Sequence, residues 1–341
     1  MTSTLKDVAK HVGLSVSTVS NILSSEDSRY NETTKKRVVQ AAEELDYHPN
    51  KAARAMKGQK TKVLGVLVPD LANSYFPDII HGIEYEADKN GYQLFLCQTY
   101  YQEADEARKI SLLRQHRVDG FILFPIPFSH HNKKVFEKLK KGKLPVVCID
   151  SKIEKVSFDF VGTEDYEGAK LAVSHLAELG HKKILCLSFG DESDVRSERL
   201  RGYKDALKEN KIKFDEKFIL SAPWETDAPA DFLISLFKGK NPPTAIFAMS
   251  DLLAVWAYRN FKKAGMKIPG NVSLVGFGDL HEGKFLDTPL TTVAQNKEEM
   301  GREAISLLLD RIKKPNSRRK EILVKTELIE RATCIKRKKQ N

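Results

Sequence analysis

Several polar side chains stand just after runs of apolar, β-branched residues, and these are the places where the sequence can do chemistry. They are Asp70 with Asn73, Gln98, Asp150, Ser188, Trp224, Ser250 with Asp251, and Asp279. If the runs are parallel strands, such residues gather at the carboxyl edge of a sheet, where open α/β proteins bind ligands. Hydrogen-bonding groups joined by one large ring suit a small polar ligand, a sugar or a nucleobase. Ser250 and Asp251 can equally cap the helix that follows them. Catalytic signatures do not occur: the sequence has no GxSxG elbow, no GxxxxGK[ST] phosphate loop, no HExxH, and no GxGxxG after a strand. His130 and His131 adjoin in a charged stretch and read as solvent-facing. Cys97, Cys148, Cys186 and Cys334 lie far apart without a CxxC pair, so neither a zinc site nor a disulfide framework is expected. The expectation is a binding protein with no cofactor, no metal and no catalysis.

The elements that must position these groups begin at Lys62. From there the periodicity predicts strands at Val63–Val68, Gln93–Cys97, Gly120–Phe124, Val146–Ile149, Phe158–Val161, Ile184–Leu187, Phe218–Leu220, Ala245–Ala248, Val272–Gly276, Thr292–Ala294 and Ile322–Val324. Helices are predicted in most of the gaps, for instance Phe76–Asn90, Asp105–His116, Asp165–Leu179, Arg199–Glu209, Asp251–Ala264 and Lys297–Ile312. Near-continuous apolar strands separated by helices imply parallel sheets covered on both faces. About eleven strands are too many for one comfortable sheet, so two doubly wound α/β lobes are expected, with a (β/α)₈ barrel as the alternative.

The first 60 residues carry helical patterns only. Leu5, Val8, Ala9 and Val12 recur at helical spacing behind a capping box of Thr4 and Asp7. Gly13 ends that helix, and Ser15 caps a second whose apolar side is Val16, Val19, Ile22 and Leu23. A third helix, about Thr33–Leu45, carries Val38, Ala41, Ala42 and Leu45 on one face.

The chain has 341 residues and a net charge of +10, unevenly placed. Residues 1–62 hold 11 Lys/Arg against 7 Asp/Glu, and residues 311–341 hold 12 against 3, which leaves the body between them at −3. A small basic helical segment suggests contact with a polyanion, whereas the KRKK run at 336–339 reads as solvated charge. No apolar run approaches the ~18–20 residues of a membrane helix, and the N-terminus has no apolar signal region. A cytoplasmic protein without membrane contact is expected.

Ala9 and Gly13 lie four apart across two helices joined by a tight turn, with Val19 and Ile22 facing back. This is helix-turn-helix geometry, in which the second helix can enter a major groove. The longer string TLKDVAKHVGLSVSTVSNIL, followed by YHPNKAARAMKGQKTKVLGVLVPD, resembles the lactose/galactose repressor family of bacterial transcription regulators. The resemblance runs over essentially the whole chain, through VDGFILFP, LAELGHKKI, RLRGYKDAL, PPTAIFAMSD, VSLVGFGD, PLTTVAQ and LIERAT.

It implies an all-α DNA-binding headpiece at 1–48, a hinge helix and linker at 49–61, and an effector-binding and dimerisation domain at 62–333 like the periplasmic sugar-binding proteins. Lobe one would comprise 62–161 and 292–323, lobe two 163–290 and 325–333, with a basic tail at 334–341. The implied function is a sequence-specific transcriptional regulator, a repressor, acting as a homodimer on palindromic operator DNA. The implied DNA contacts are Thr4, Leu5 and Ser15, then Val16, Ser17, Thr18 and Asn21 on the recognition helix, then Asn50, Ala53, Arg54 and Met56 in the hinge. Asn can bond adenine bidentately, Ser either base, and Val can meet a thymine methyl. Met56 stands where relatives wedge an apolar side chain into a minor-groove base step.

Tyr75, Phe76, Arg199, Trp224, Ser250 and Asp251 fall on positions that line the effector cleft in the family, and Asp150 and Asp279 join them from the strand ends. Trp256 lies inside a helix and is expected in the core. The sequence departs from the family at GFGD, where Gly278 replaces a usual aspartate and removes a hydroxyl acceptor. Arg196, Arg199 and Lys284 are cations that would suit an acidic sugar. The expected effector is a sugar, sugar acid or sugar phosphate. A nucleobase effector or co-repressor use is the alternative, with a solute-binding protein or an enzyme as further ones.

Overall fold

The computed structural model describes residues 3–24, 30–47, 60–126, 133–153, 156–190, 193–222 and 230–337. The chain divides into two compact units, Met1–Thr61 and Lys62–Asn341.

The first unit contains helices Leu5–Val12, Val16–Ser24 and Glu32–Glu44. The Thr4 backbone N–H and hydroxyl both donate to Asp7 Oδ2, at 2.8 and 2.7 Å. Gly13, with φ of 69°, takes the left-handed conformation that closes the first helix. The Ser15 hydroxyl accepts from the Thr18 N–H at 3.1 Å and Asn31 accepts from Thr34 at 2.8 Å, so each later helix has its own cap. Val8, Ala9, Val12, Val19, Ile22, Val38, Ala41 and Ala42 form the core of this bundle, as the helical periodicity requires.

The second unit holds two six-stranded sheets. The first contains β1 (Val63–Val68), β2 (Gln93–Gln98), β3 (Gly120–Leu123), β4 (Val146–Ile149), β5 (Asp159–Thr163) and β11 (Glu321–Val324), in the order β11-β5-β4-β3-β1-β2. The second contains β6 (Ile184–Phe189), β7 (Ile219–Ala222), β8 (Ala245–Ala248), β9 (Ser273–Gly278), β10 (Thr291–Gln295) and β12 (Thr326–Ile329), in the order β12-β10-β9-β8-β6-β7. Every pairing is parallel except β10 with β12. All six residues of β1 are buried, as are all six of β6 and β9, which is why these strands read as unbroken apolar runs. Two lobes, rather than a closed barrel, are therefore the architecture.

The chain passes between the sheets after β5, after β10 and after β11. The strand expected with lobe one, Thr292–Ala294, belongs to the second sheet, where it pairs with β9 and β12. Val293 is buried in the second lobe's core. The return to the first lobe is made instead by helix Lys297–Lys313, capped by Asn296, whose Met300, Ala304, Ile305 and Leu308 join the first lobe's core. That helix lies close against helix Tyr75–Lys89 through two glycines: a Cβ on Gly301 would run into the Ile79 carbonyl, and one on Gly82 into that of Glu298. The other face of the first sheet is covered by helices Glu103–Gln115 and Lys133–Lys141, through Ile110, Leu113, Phe136 and Leu139. Strand β12 was not anticipated. It is short, half-exposed and antiparallel, and lacks the apolar run that marks the others. Among the described residues no helix is long and apolar enough to cross a membrane.

Candidate DNA-reading helix and ligand cleft

On helix Val16–Ser24, Val19 and Ile22 turn into the bundle while Ser15, Val16, Ser17 and Asn21 are exposed. Val16 presents an apolar side chain that is 40% exposed, the requirement for meeting a thymine methyl. The hydroxyl of Ser15 lies 2.9 Å from that of Ser17 and 2.8 Å from that of Thr18, forming a small hydroxyl cluster where the helix begins. Asn21 Nδ2 reaches the Tyr30 hydroxyl at 3.5 Å. Thr4 is exposed and Leu5 half-buried at the start of the first helix. Asn50, Ala53, Arg54, Met56 and the rest of the expected hinge up to residue 59, together with Trp224 and the His130–His131 pair, lie outside the described residues.

In the second unit a hydrogen-bonded chain runs across the seam between the lobes. Tyr75 opens its helix in the first lobe, and its hydroxyl donates to Asp150 Oδ1 at 2.8 Å. Gln295, the last residue of β10, donates from Nε2 to the Tyr75 oxygen at 3.4 Å and to Thr163 Oγ1 at 2.9 Å. Thr163 ends β5 and hydrogen-bonds Asp165, which Arg199 grips from Nε at 2.8 Å and from Nη2 at 2.7 Å. Arg199 also donates from Nη1 to the Met249 carbonyl, and its guanidinium lies 3.7 Å from the centre of the Phe277 ring.

Burial raises the Asp150 carboxyl to about 7, against the opposing pull of the Tyr75 hydrogen bond. Burial likewise pushes Asp165 up, and Arg199 pulls it back. The Tyr75 hydroxyl is pushed well up by burial and by the Asp150 carboxylate it faces. The centre of the cleft thus combines a titratable carboxyl, a phenol, an amide and a paired guanidinium.

The structure brings together Tyr75, Asp150 and Arg199, and gives the other described residues expected to touch the ligand different roles. Phe76 turns inward, edge-on to Tyr75 at 5.4 Å and to Phe124 at 5.3 Å, and is a core residue rather than a cleft wall. Ser250 accepts from the Leu253 N–H at 3.3 Å and so caps its helix. Asp251 is fully buried, and both its oxygens are taken: Oδ2 by the Leu280 N–H at 2.7 Å, Oδ1 by the Thr292 hydroxyl at 2.5 Å. It braces the loop after β9 against β10 and has no surface to offer a ligand. Asp279 accepts from Arg331 at 2.6 Å and pairs with Lys284 at 3.0 Å. Burial works against its carboxylate, but these two cations hold it below the usual value. Trp256 is buried as expected.

Two of the three cations expected to favour an acidic ligand are paired with carboxylates, and the third, Arg196, bonds neutral acceptors and keeps its charge. Arg199 is answered by Asp165 and Lys284 by Asp279, while Arg196 spends its Nε on the Ser188 hydroxyl at 2.9 Å and the Phe189 carbonyl at 3.1 Å. Gly278, the departure from the family pattern, has φ of 131°, a conformation that L side chains rarely adopt. Its carbonyl accepts from Lys297 Nζ at 2.6 Å. Thr163, Asp165 and Gln295 stand at the ends of β5 and β10, and Lys297 on the helix that follows β10. Applied to those two strands, the strand-end rule finds Thr163, Asp165 and Gln295 directly.

Two parallel-sheet lobes joined by three crossings, with polar groups meeting at the seam, define a two-lobed ligand-binding domain, here preceded by a helix-turn-helix unit. The sequence pattern of "Periplasmic binding proteins and sugar binding domain of LacI family" matches residues 61–332, and that of "Bacterial regulatory proteins, lacI family" matches residues 4–50. The chain belongs to the LacI family of DNA-binding transcription regulators. It is 31% identical over 342 residues to the HTH-type transcriptional repressor PurR of Aliivibrio fischeri, covering 99% of this chain and all of the relative. A LacI family regulator from Enterococcus faecium with bound ribose superposes with a TM-score of 0.72 at 29% identity, over 81% of this chain and all of the other. The lac repressor dimer bound to operator and the anti-inducer ONPF shares the fold, with a TM-score of 0.85 at 24% identity over 98% of this chain and all of the other. Its relatives are regulators rather than enzymes.

Proposed function

We propose that the chain is a homodimeric repressor whose effector is a neutral, hydroxyl-rich ring, a sugar, held at the seam between the lobes. The observation that carries this reading is the chain from Asp150 through Tyr75, Gln295 and Thr163 to Asp165 and Arg199, which links both lobes. Closely set acceptors and donors match vicinal hydroxyls, and the pairing of Arg199 and Lys284 with carboxylates leaves only Arg196 of the three cations to favour an acidic sugar. Trp224, on the segment after β7, is the stacking residue in this reading. A ligand that bridges the lobes changes their relative orientation, and the hinge at 49–61 converts that into release or capture of operator by the headpiece at 1–48. The effector domain would extend over 62–333 and the basic tail over 334–341. A protein with this task works in the cytoplasm, at the nucleoid.

A nucleobase effector is the second reading, supported by the similarity to PurR repressors along the whole chain. A thermal-shift screen decides between them, because a ligand that binds only the folded state raises its melting temperature. Stabilisation by neutral sugars supports the proposal, and stabilisation by purines alone overturns it. The dimer is supported by edge strand β2, which leaves Phe95 and Leu96 42% and 41% exposed. Light scattering that finds a monomer on operator DNA would refute it.

Base reading is assigned to Val16, Ser17 and Asn21, with Thr4, Leu5, Ser15 and Thr18 positioning the helix, and Asn50, Ala53, Arg54 and Met56 acting through the hinge. Asn21→Ala should relax specificity at one base pair, by ~1–3 kcal/mol. Met56→Gly should weaken operator binding while sparing effector affinity.

A further inference from the structure

The first lobe has one strongly basic edge that effector binding does not use. Parallel strands all begin at the same end of a sheet, and the helices that precede them end there too. At this end Lys62 leads into β1, the segment Lys140, Lys141 and Lys143 leads into β4, and Lys314 and Arg318 lead into β11. All six side chains are exposed. The sheet order β11-β5-β4-β3-β1-β2 puts four strand steps between β1 and β11, so the row spans about 19 Å. The carboxylates nearby are committed: Asp119, just before β3, accepts from the Lys62 backbone N–H at 2.9 Å, Asp159 is buried and gripped by Arg311 at 2.7 and 2.8 Å, Asp310 pairs with Lys320, and Glu321 with Lys152 and Arg319. Among the described residues no ion pair is formed by Lys140, Lys141, Lys143, Lys314 or Arg318.

Lysines in the last turn of a helix complement its negative end, which accounts for Lys140 and Lys141. It does not account for Lys143 and Arg318, which lie beyond the helices that precede them. We infer that this edge of the first lobe is a second DNA surface, tracking backbone phosphates of duplex that flanks the operator. The charge is of the right sign and length, because a duplex carries one negative charge per ~1.7 Å of axis. Lys62 lies on this edge and is the residue at which the chain arrives from the helix-turn-helix unit. Contacts of this kind supply affinity without reading sequence.

The test uses the full chain and two duplexes centred on an operator selected with the wild-type protein from a random-sequence pool, one about two helical turns long and one about five. Binding is measured against salt for the wild type and for the variant Lys140→Gln, Lys141→Gln, Lys143→Gln. On the long duplex the variant's salt slope should fall by roughly 1 for each phosphate contact removed, and on the short duplex it should stay unchanged. A second variant with Arg at all three positions keeps the charge and should keep the slope. An unchanged slope on the long duplex overturns the inference. So does a variant that loses binding to phosphatidylglycerol vesicles while its DNA slopes match the parent, since the edge would then serve an anionic lipid surface.

Discussion

Lys297 Nζ donates to the Gly278 carbonyl at 2.6 Å, joining the helix that returns to the first lobe to the end of β9 in the second. The same ammonium lies 3.7 Å from Asp78 Oδ2, on helix Tyr75–Lys89 of the first lobe. Burial pushes this lysine below its ordinary value, while Asp78 and Asp279 pull it back up. Close by, Ser74 Oγ donates to Glu282 Oε2 at 2.8 Å, a second bond from lobe to lobe. The two lobes are thus tied on one side of the cleft by contacts that a change in their relative orientation must break.

Lys297→Met should therefore alter the lobe equilibrium more than the fold. Removing a buried charge relieves its desolvation, while the Gly278 carbonyl loses its donor, a loss of ~1–3 kcal/mol. The expected result is a small shift in melting temperature and a clear change in the effector concentration needed to release operator. An unchanged operator response would mean that this bond does not report lobe orientation.

Asp150 should give the protein a pH dependence near neutrality. Its folded value of about 7 lies above the ordinary carboxyl value, so the folded chain holds this proton more tightly than the unfolded one. The resulting stability is fully present below ~pH 4 and is lost as pH rises through about 7. Wild type should thus lose denaturation free energy relative to Asp150→Asn between about pH 4 and 7 and level off above it. A neutral sugar prefers the carboxylate, so effector affinity should rise as pH passes through about 7 in wild type and stay flat in the variant. Parallel stability curves would count against the assignment.

Arg199 should be more sensitive to truncation than to charge-preserving exchange. Arg199→Ala leaves Asp165 buried without its cation and should destabilise the protein by ~3–5 kcal/mol. Arg199→Lys keeps the charge but loses the fork that reaches Asp165 and Met249 together, a loss of ~1.5–3 kcal/mol. Urea unfolding of the two variants measures the difference, and equal losses would show that the fork geometry is irrelevant.

Asp251→Asn tests the brace. Both carboxylate oxygens accept, so the amide N–H must either face the Leu280 N–H, which cannot accept, or turn to Thr292, whose hydroxyl then accepts and loses its own buried acceptor. A loss of ~1–3 kcal/mol is expected, with effector affinity kept in the folded fraction. Effector binding abolished without loss of stability would return Asp251 to the ligand.

Much of this protein was legible along the chain. The unbroken apolar runs of β1, β6 and β9, the Thr4–Asp7 box and the turn at Gly13 are local, because burial on both faces of a strand or on one side of a helix leaves its period in the residues themselves. Strand-end logic also found Asp150, since every parallel strand delivers its next residue to the same edge. Three matters were settled only by tertiary structure. Thr291–Gln295 joins the second sheet because its partners, β9 and β12, are there, and a strand's period carries no mark of which sheet it will enter. Asp251 is a brace because Thr292, 41 residues away, and Leu280, 29 away, fill its oxygens, whereas local spacing shows only a carboxylate after a strand. Gln295 reaches Tyr75 across 220 residues, a meeting made by the packing of two lobes, and no pattern within either segment encodes it.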